Sequence, residues 1–390
     1  MPQQQSLGIY IHYPYCRTKC NFCDFNAYRL PKESVVNSYC EALLKEIDHW
    51  AGTLSAFRPL IIETLYFGGG TPSLISIEYL TRVLKALNQF GEIAGDCEIT
   101  IESTPGSLSP SLLRNYRALG INRLSIGAES FDPKMLKALE RDHGVEDIFR
   151  AIEWAERAGF DNLCLDLMYG LPHQTMDDLG RDLAQLIACS ARHLSIYQLT
   201  LTSRHPLTPK LPKEEDLVAM FYAIHQALEA NGFVHYEISN YAKSGFECRH
   251  NRRYWGDEDF LGLGAGAHSY FMRYQDAIGG AGWGVRWANI MNPLLYTESL
   301  KEGGRPTCRL HALTESEAFL ERIMTGLRLL KEGVNVSKLS SKFNNLTSNL
   351  ESAIAELRAR RWVDFQGGVL KLSPEGFCFA DEAALKLTEK

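Results

Sequence analysis

Three cysteines crowd into one short run, Cys16-Arg17-Thr18-Lys19-Cys20-Asn21-Phe22-Cys23. Spacers of three and two residues let thiolates from a single loop converge on one inorganic centre, as cluster-binding loops require. The number of ligands is informative. A closed structural zinc site takes four protein ligands, whereas a [4Fe–4S] cluster held by three cysteines leaves one iron open to a non-protein ligand. His12 is near in sequence, but it sits in a run of alternating β character and is expected to face away from the loop. Three metal-free thiols and a zinc site are the rival readings. The spacing, the place after the first β-rich run and a glycine-rich loop farther along the chain favour the iron–sulfur cluster.

Phe67-Gly68-Gly69-Gly70-Thr71-Pro72-Ser73 follows a β-rich run directly. Successive glycines let backbone approach a ligand that a Cβ would exclude, and freed backbone groups suit a small zwitterion. The phosphate-loop pattern is absent. Glu102 and Asp166 end apolar runs, where a buried charge needs a partner. They either hydrogen-bond a ligand's amino group or ribose, or they cap turns and pair with Arg123 or Arg141.

These residues need a frame that brings them to one end. From Gly8 to about Ile238, short β-rich runs (Ile9–Ile11, Thr64–Phe67, Glu98–Ile101, Arg123–Ile126, Asn162–Leu167, His193–Tyr197) alternate with helical stretches near 34–50, 77–90, 110–119, 145–158, 176–187 and 214–231. The runs look nearly continuously apolar, as for strands covered on both faces. Repeated strand–helix alternation implies a parallel sheet with right-handed crossovers. Six or more units favour a full or partial (β/α) barrel over an open doubly wound sheet. The Gly68–Pro72 loop, Glu102, Glu129, Asp166 and Gln198 then fall at strand ends, the face that carries chemistry in such barrels.

After Tyr241 the texture changes. Residues 248–287 are rich in glycine, aromatics and histidine, with little periodicity. The last segment predicts helices at Glu315–Lys331, Val336–Phe343 and Leu350–Arg361, then a hairpin of 362–365 and 369–372, a winged-helix-like α+β module. The fold class is therefore α/β, with three segments: 1–240 the partial barrel, 241–304 a connection and 305–390 the winged-helix-like domain.

Composition bounds the function classes. The 390 residues are 45% apolar and 23% charged with a formal net charge of −6, so nothing argues for non-specific nucleic-acid binding. Met1–Ser6 shows no secretory signal and no run is long and apolar enough to span a membrane. Ten irregularly spread cysteines fit a reducing compartment. The expectation is a cytoplasmic protein.

The stretch Tyr10–Cys23 with Gly68-Gly69-Gly70-Thr71-Pro72 resembles the radical S-adenosylmethionine (SAM) superfamily, and within it the oxygen-independent coproporphyrinogen III oxidase group. Asn122–Gly127, Gly170–Gln174, Gly262–Ser269 and Leu372–Gly376 extend the likeness over nearly the whole chain. It is closest to the HemW type, regarded as haem chaperones. The resemblance implies a partial radical SAM barrel. It also implies a cluster on Cys16, Cys20 and Cys23 whose fourth iron is chelated by SAM. Tyr10, Gly69, Gly70, Thr71 and Glu102 fall on positions that contact SAM. Glu129, Arg141 and Asp166 match positions that hold a second SAM in the decarboxylases, although Glu129 stands where glutamine is usual and Thr104 where asparagine is common.

Phe25 occupies the place of the oxidases' fourth cysteine, and only about 15 residues precede Cys16, too few for their N-terminal arm. His250-Asn251-Arg252-Arg253-Tyr254-Trp255 matches the H-N-x-x-Y-W motif linked to haem handling. The resemblance thus implies haem at His250, Tyr254 and Trp255, with Arg252, Arg253 or Arg286 for propionates. Delivery would be to acceptor haem proteins, some at the cytoplasmic membrane, with peripheral membrane association and a homodimer among the implied states. The runner-up is anaerobic coproporphyrinogen III dehydrogenation. A nucleic-acid role for the C-terminal module has no basic patch to support it.

Overall fold

A computed structural model describes residues 6–57, 60–278, 280, 282–343, 346–347 and 349–389. Met1–Gln5, within the stretch read above for a signal, lie outside the described residues. Six parallel strands form the frame: β1 (Ser6–Tyr13), β2 (Leu60–Gly69), β3 (Gly91–Ser103), β4 (Arg123–Glu129), β5 (Asn162–Tyr169) and β6 (His193–Gln198). Helices α1 (Glu33–Thr53), α2 (Ile77–Leu87), α3 (Pro110–Ala118), α4 (Pro133–Ala138), α5 (Val145–Arg157), α6 (Met176–Ala188) and α7 (Glu214–Ala230) run between or after them. The six helical stretches expected from periodicity are all present. The short α4, opened by Asp132 accepting from Lys134 N at 2.7 Å, has too few residues to show a period.

The strands are not apolar on both faces, as the sequence suggested. Leu7, Ile9 and Ile11 of β1, Leu65 and Phe67 of β2, Ile99 and Ile101 of β3, Leu124 and Ile126 of β4, and Leu163 and Leu165 of β5 join the hydrophobic core with the helices. The alternate residues bond one another across the inner face. Tyr66 donates to Glu102 at 2.8 Å, Ser125 to Asp166 at 3.3 Å, and the Cys164 thiol lies 3.0 Å from His193 Nδ1. Alternation is masked in the sequence because the inward set includes Tyr, Thr and Cys, which read as β-formers. A partial barrel with a polar lining results. These bonds offset the cost of burying the lining, although Thr100 Oγ1 and Arg123 Nε have no partner among the described residues.

Further strands lengthen both edges, all antiparallel to their neighbours except for one parallel pair with β1. At one edge lie β7 (Val234–Glu237) and β8 (Asn240–Ala242). At the other lie β9 (Phe260–Leu263), β10 (His268–Phe271), β11 (Val285–Asn289) and β12 (Thr307–Ala312), so the sheet order is β12-β11-β10-β9-β1-β2-β3-β4-β5-β6-β8-β7. The segment read as aperiodic therefore holds regular elements. Its β9 is parallel to β1, and Gly262 there has no room for a Cβ, which would lie 2.1 Å from His268 O. Two further helices, α8 (Arg249–Trp255) and α9 (Pro293–Lys301), belong to this segment.

The C-terminal part contains α10 (Glu315–Arg328), β13 (Val334–Asn335), α11 (Val336–Lys342), α12 (Leu350–Ala359), β14 (Val363–Gln366), β15 (Val369–Leu372) and α13 (Ala380–Thr388). The hairpin turns at Gly367 and Gly368, both with positive φ. Three short strands with flanking helices agree with the winged-helix-like reading; β13 and α13 were not anticipated. This part joins the barrel through Leu330 N donating to Tyr236 O at 3.0 Å and Arg322 paired to Asp257 at 2.6 Å.

Candidate functional site

The site begins where β1 runs into the cysteine loop. Cys23 N donates to Cys20 O, closing a tight turn between the second and third thiols. Leu30 N donates to Cys16 O and Tyr28 N to Pro14 O, both at 2.7 Å, so the loop returns along its own entry strand. The glycine loop then lies on it: Gly70 N donates to Tyr13 O and Thr71 N to Tyr15 O. A Cβ on Gly69, which has φ +118°, would sit 2.6 Å from the His12 ring. One on Gly70 would meet the Tyr15 backbone at 2.8 Å and the Cys16 sulfur at 3.0 Å. These glycines are required by the cysteine loop itself.

His12 does not face away. Its Nε2–H donates to Asn26 O at 2.9 Å, just past the third cysteine. That carbonyl can only accept, so Nδ1 is left to take the Tyr10 hydroxyl at 3.0 Å. Burial lowers the imidazole's pKa, and it is neutral. Asn26 also donates its side-chain amide to Ala265 O and Met291 O, both at 2.9 Å. The loop is thereby fastened to the segments that follow β9 and β11.

A cavity of about 390 Å³ opens at the C-terminal ends of the strands. Cys16, Cys20, Cys23, Gly69, Gly70, Thr71, Glu102, Glu129, Arg141 and Asp166 all line it. Tyr10 does not; it lies one layer beneath, its ring stacked on Tyr66 at 6.0 Å. Glu102 accepts from Tyr66 and from Gly69 N at 3.0 Å, not from an arginine. Its carboxyl is pushed up to about 7 by burial first, with the Tyr66 hydrogen bond opposing and Asp166 adding. Asp166 is pushed up to about 6 by burial and by Glu129. Glu129 adopts φ +63°, a strained conformation for this residue type. It stands 3.4 Å from Arg141, whose Nη1 donates to the Cys20 sulfur at 3.3 Å. Lining residues that sequence reasoning did not assign include Phe22, Met168, Tyr197 and Leu199. Phe22 could have been found from its place inside the cysteine run.

The donor set fits a cluster better than a single ion. Among the described residues no three His, Cys, Asp or Glu side chains converge at single-ion spacing. A cube holds each sulfur on a different iron and needs no such convergence. All three thiols are free and front one cavity. Burial pushes the Cys16 and Cys23 thiols up, the cost that a bound cation centre removes.

The His250 helix lies elsewhere. In α8, Arg249 N and His250 N donate to Glu98 of β3 at 3.2 and 3.1 Å, so a strand carboxylate caps the helix inside the amino end of the barrel. His250 is fully buried. Its Nδ1 meets Thr64 Oγ1 and its Nε2 the Tyr254 hydroxyl, each at 2.8 Å, and its ring stacks on Tyr66 at 5.3 Å. Burial, then Arg253, lowers its pKa to about 3. Both ring nitrogens of His250 have hydrogen-bond partners in this arrangement. Tyr254 is held by His250, and Trp255 lies beneath the Arg328 guanidinium at 4.8 Å. Arg252 pairs with Glu332, Arg253 with Glu63 and Glu258, and Arg286 with Glu321.

A family model for the radical SAM superfamily matches residues 10–186. The heme chaperone HemW of Bacillus subtilis is 32% identical over 384 residues, covering 96% of this chain and 97% of that protein. HemW of Synechocystis is 34% identical over 400 residues, with 96% and 92% covered. HemW of Escherichia coli is 39% identical over 265 residues, with 67% and 69% covered. The solved coproporphyrinogen III oxidase HemN of Escherichia coli superposes with a TM-score of 0.84 over 99% of this chain and 90% of that one; at 23% identity it shows the fold alone. Homology over nearly the full length, together with a three-thiol loop at the mouth of a partial barrel, makes this chain a member of the HemW family within the radical SAM superfamily.

Proposed function

We propose that this protein binds haem and passes it to acceptor haem proteins, carrying a SAM-ligated [4Fe–4S] cluster at the barrel mouth. The observation that carries the reading is the end-to-end relation to heme chaperones HemW, joined to Phe25 where the oxidases have a fourth cysteine. In this reading residues 1–240 are the cofactor barrel, 241–304 the connection and 305–390 the winged-helix-like end. Cys16, Cys20 and Cys23 hold three irons and leave the fourth to SAM. A reduced cluster of this kind supplies an electron that can cleave SAM.

The chain's own groups do the rest. Gly69, Gly70 and Thr71 present backbone close to the open corner. Glu102, whose Tyr66 and Gly69 partners leave lone pairs toward the cavity, accepts from an ammonium or ribose hydroxyl. Asp166 and the Glu129–Arg141 pair line the far wall and orient the remainder of the ligand. Tyr10 supports the floor. No coproporphyrinogen dehydrogenase activity is assigned.

Haem titration of the purified, cluster-reconstituted protein, followed by mixing with an apo-haem enzyme, tests the proposal. Stoichiometric binding and recovery of the acceptor's activity are expected. Absence of haem binding, or turnover of coproporphyrinogen III at catalytic rates, would overturn it.

A further inference from the structure

Strand β4 ends irregularly. Its pairing with β5 slips by one residue between Gly127 and Glu129, a β-bulge of the kind that re-aims a side chain beside a site. Glu129, at φ +63°, brings its carboxylate to 3.4 Å from Arg141. Position 127 has to be glycine for this. A Cβ there would lie 2.9 Å from Glu129 Oε1 and 3.1 Å from Arg141 Nη2. Arg141 is aimed from the other side by a second irregularity. Past the end of α4, Glu140 N donates to Lys137 O and Arg141 N to Leu136 O, a Schellman turn. Its left-handed position holds Glu140 at φ +55°, where glycine is the ordinary occupant. The Asn21 side-chain amide donates to Ala138 O at 3.3 Å and ties this helix end to the cysteine run. Backbone strain at two non-glycine residues persists only where the surroundings over-determine it. Here both strained residues serve one ion pair.

The guanidinium so placed touches Gly127 O at 3.1 Å, Glu129 at 3.4 Å and, through Nη1, the Cys20 sulfur at 3.3 Å. Among the described residues it is the one cation hydrogen-bonded to a cysteine of the run. The other charges of this wall point elsewhere. Asp142 faces His143 at 3.8 Å, and Asp166 accepts from Ser125 and from the Cys164 thiol. Lys19 is exposed and stands over the Tyr28 ring. The potential of an iron–sulfur cluster follows its net charge, the hydrogen bonds to its sulfurs and its exposure. Reduction adds negative charge, so a cationic N–H on a ligand sulfur favours the reduced state and a carboxylate beside that donor opposes it. The Arg141 and Glu129 side chains are only 10% and 14% exposed, so water screens them little.

We propose that the Glu129–Arg141 pair sets the reduction potential of the cluster. Arg141 raises it through its bond to the Cys20 sulfur, and Glu129 holds Arg141 there while moderating its charge. Arg141 acts through Cys20 and Glu129 through Arg141, so both are positioning residues. The inference rests on the cluster reading above and deepens it. Reduction adds one electron to the cluster, supplied by a low-potential one-electron donor, and no bond forms or breaks at either side chain. Arg141 Nε, which has no partner among the described residues, is not needed for this bond and stays available to a ligand.

An anaerobic redox titration of the cluster-loaded full-length chain with dithionite and viologen mediators tests the proposal. The reduced cluster is followed by its electron paramagnetic resonance signal, and iron and sulfide are measured in each sample. Arg141→Met should make reduction about tenfold less favourable or worse, a fall of about 59 mV for a one-electron couple. Glu129→Gln keeps an acceptor but loses the charge, and should make reduction about threefold more favourable or better. Arg17→Met removes one exposed positive charge from the same run, where Arg17 donates to Gly106 O, and should stay within about twofold. Equal potentials in Arg141→Met and the unaltered chain would overturn the inference. So would an equal fall in Arg17→Met, because loop charge and not the bond to Cys20 would then set the potential. If Arg141→Met takes up less iron, Arg141→Lys takes its place: a compact ammonium keeps the charge without the fork, and reduction should become about threefold less favourable. An unchanged potential in that variant overturns the inference equally. If the unaltered chain takes up no cluster, the cofactor reading itself fails, a separate result.

Discussion

Single residues set the chemistry, and their variants should separate cluster assembly from folding. Among the described residues the Cys20 sulfur accepts from Arg141 alone. Cys20→Ser should lose the brown cluster absorption and most bound iron and sulfide, with circular dichroism unchanged; full iron and sulfide would remove Cys20 from the ligand set. Glu46 reports on burial. It is fully buried in α1 and accepts from Tyr296, Asn289 and Gly264 N. Burial, opposed by these hydrogen bonds, pushes its carboxyl up to about 7. The folded state then holds a proton that the unfolded chain releases above its ordinary value of 4.5. Its contribution is full below that ordinary value and is lost as pH rises through about 7, at most about 3 kcal/mol. Urea midpoints measured at about pH 5 and about pH 8 should differ less in Glu46→Gln than in the unaltered chain. Equal slopes would mean that Glu46 is ionised when folded.

Elements decide which residues can meet a ligand. The loop Gly264–Gly266 shows how tightly the frame closes on the cysteine run. A Cβ on Gly264, at φ +98°, would lie 2.5 Å from His12 O and 2.7 Å from the Tyr39 hydroxyl. Gly264→Ala should cost about 2–3 kcal/mol by denaturant titration and lower cluster retention; an unchanged midpoint would show that the strand and loop can separate freely. α8 is the second case. His250→Ala removes two buried hydrogen bonds and a ring stacked on Tyr66, so it should destabilise the chain by about 2–4 kcal/mol. A midpoint shift of that size would mean that lost haem transfer in this variant reports a damaged barrel. Wild-type stability would return His250 to the list of accessible ligands.

At the scale of the molecule, the barrel and the C-terminal part share one hydrophobic core that runs from Leu7 to Leu387. Leu330 N bonds Tyr236 O, Arg322 pairs with Asp257, and the Tyr222 hydroxyl donates to Glu375 O at 3.1 Å. A chain ending at residue 304 should therefore expose the outer side of α8 and α7 and be recovered aggregated or with a strongly lowered Tm. A soluble truncated barrel with full cluster content and an unshifted melt would show that the C-terminal part is a separable module. Among the described residues no helix is long and apolar enough to cross a membrane.

Much of this was legible in residue order. Ligand spacing, glycine runs and helical periods are local, so Cys16–Cys23, the Gly68–Pro72 loop and the main barrel helices stand out before any folding is known. The hairpin at Gly367-Gly368 is local in the same sense. What faces what is not local. The inward polar layer was hidden because Tyr, Thr and Cys read as β-formers whichever way they point, and α8 and α4 are too short to show a period. Whether His250 is open or sealed depends on Thr64, Tyr66 and Glu98, residues some 150 to 190 positions away. Only the folded chain brings those partners together. The same long-range packing leaves Phe25 and Leu294 in water and buries the histidine that the motif singled out.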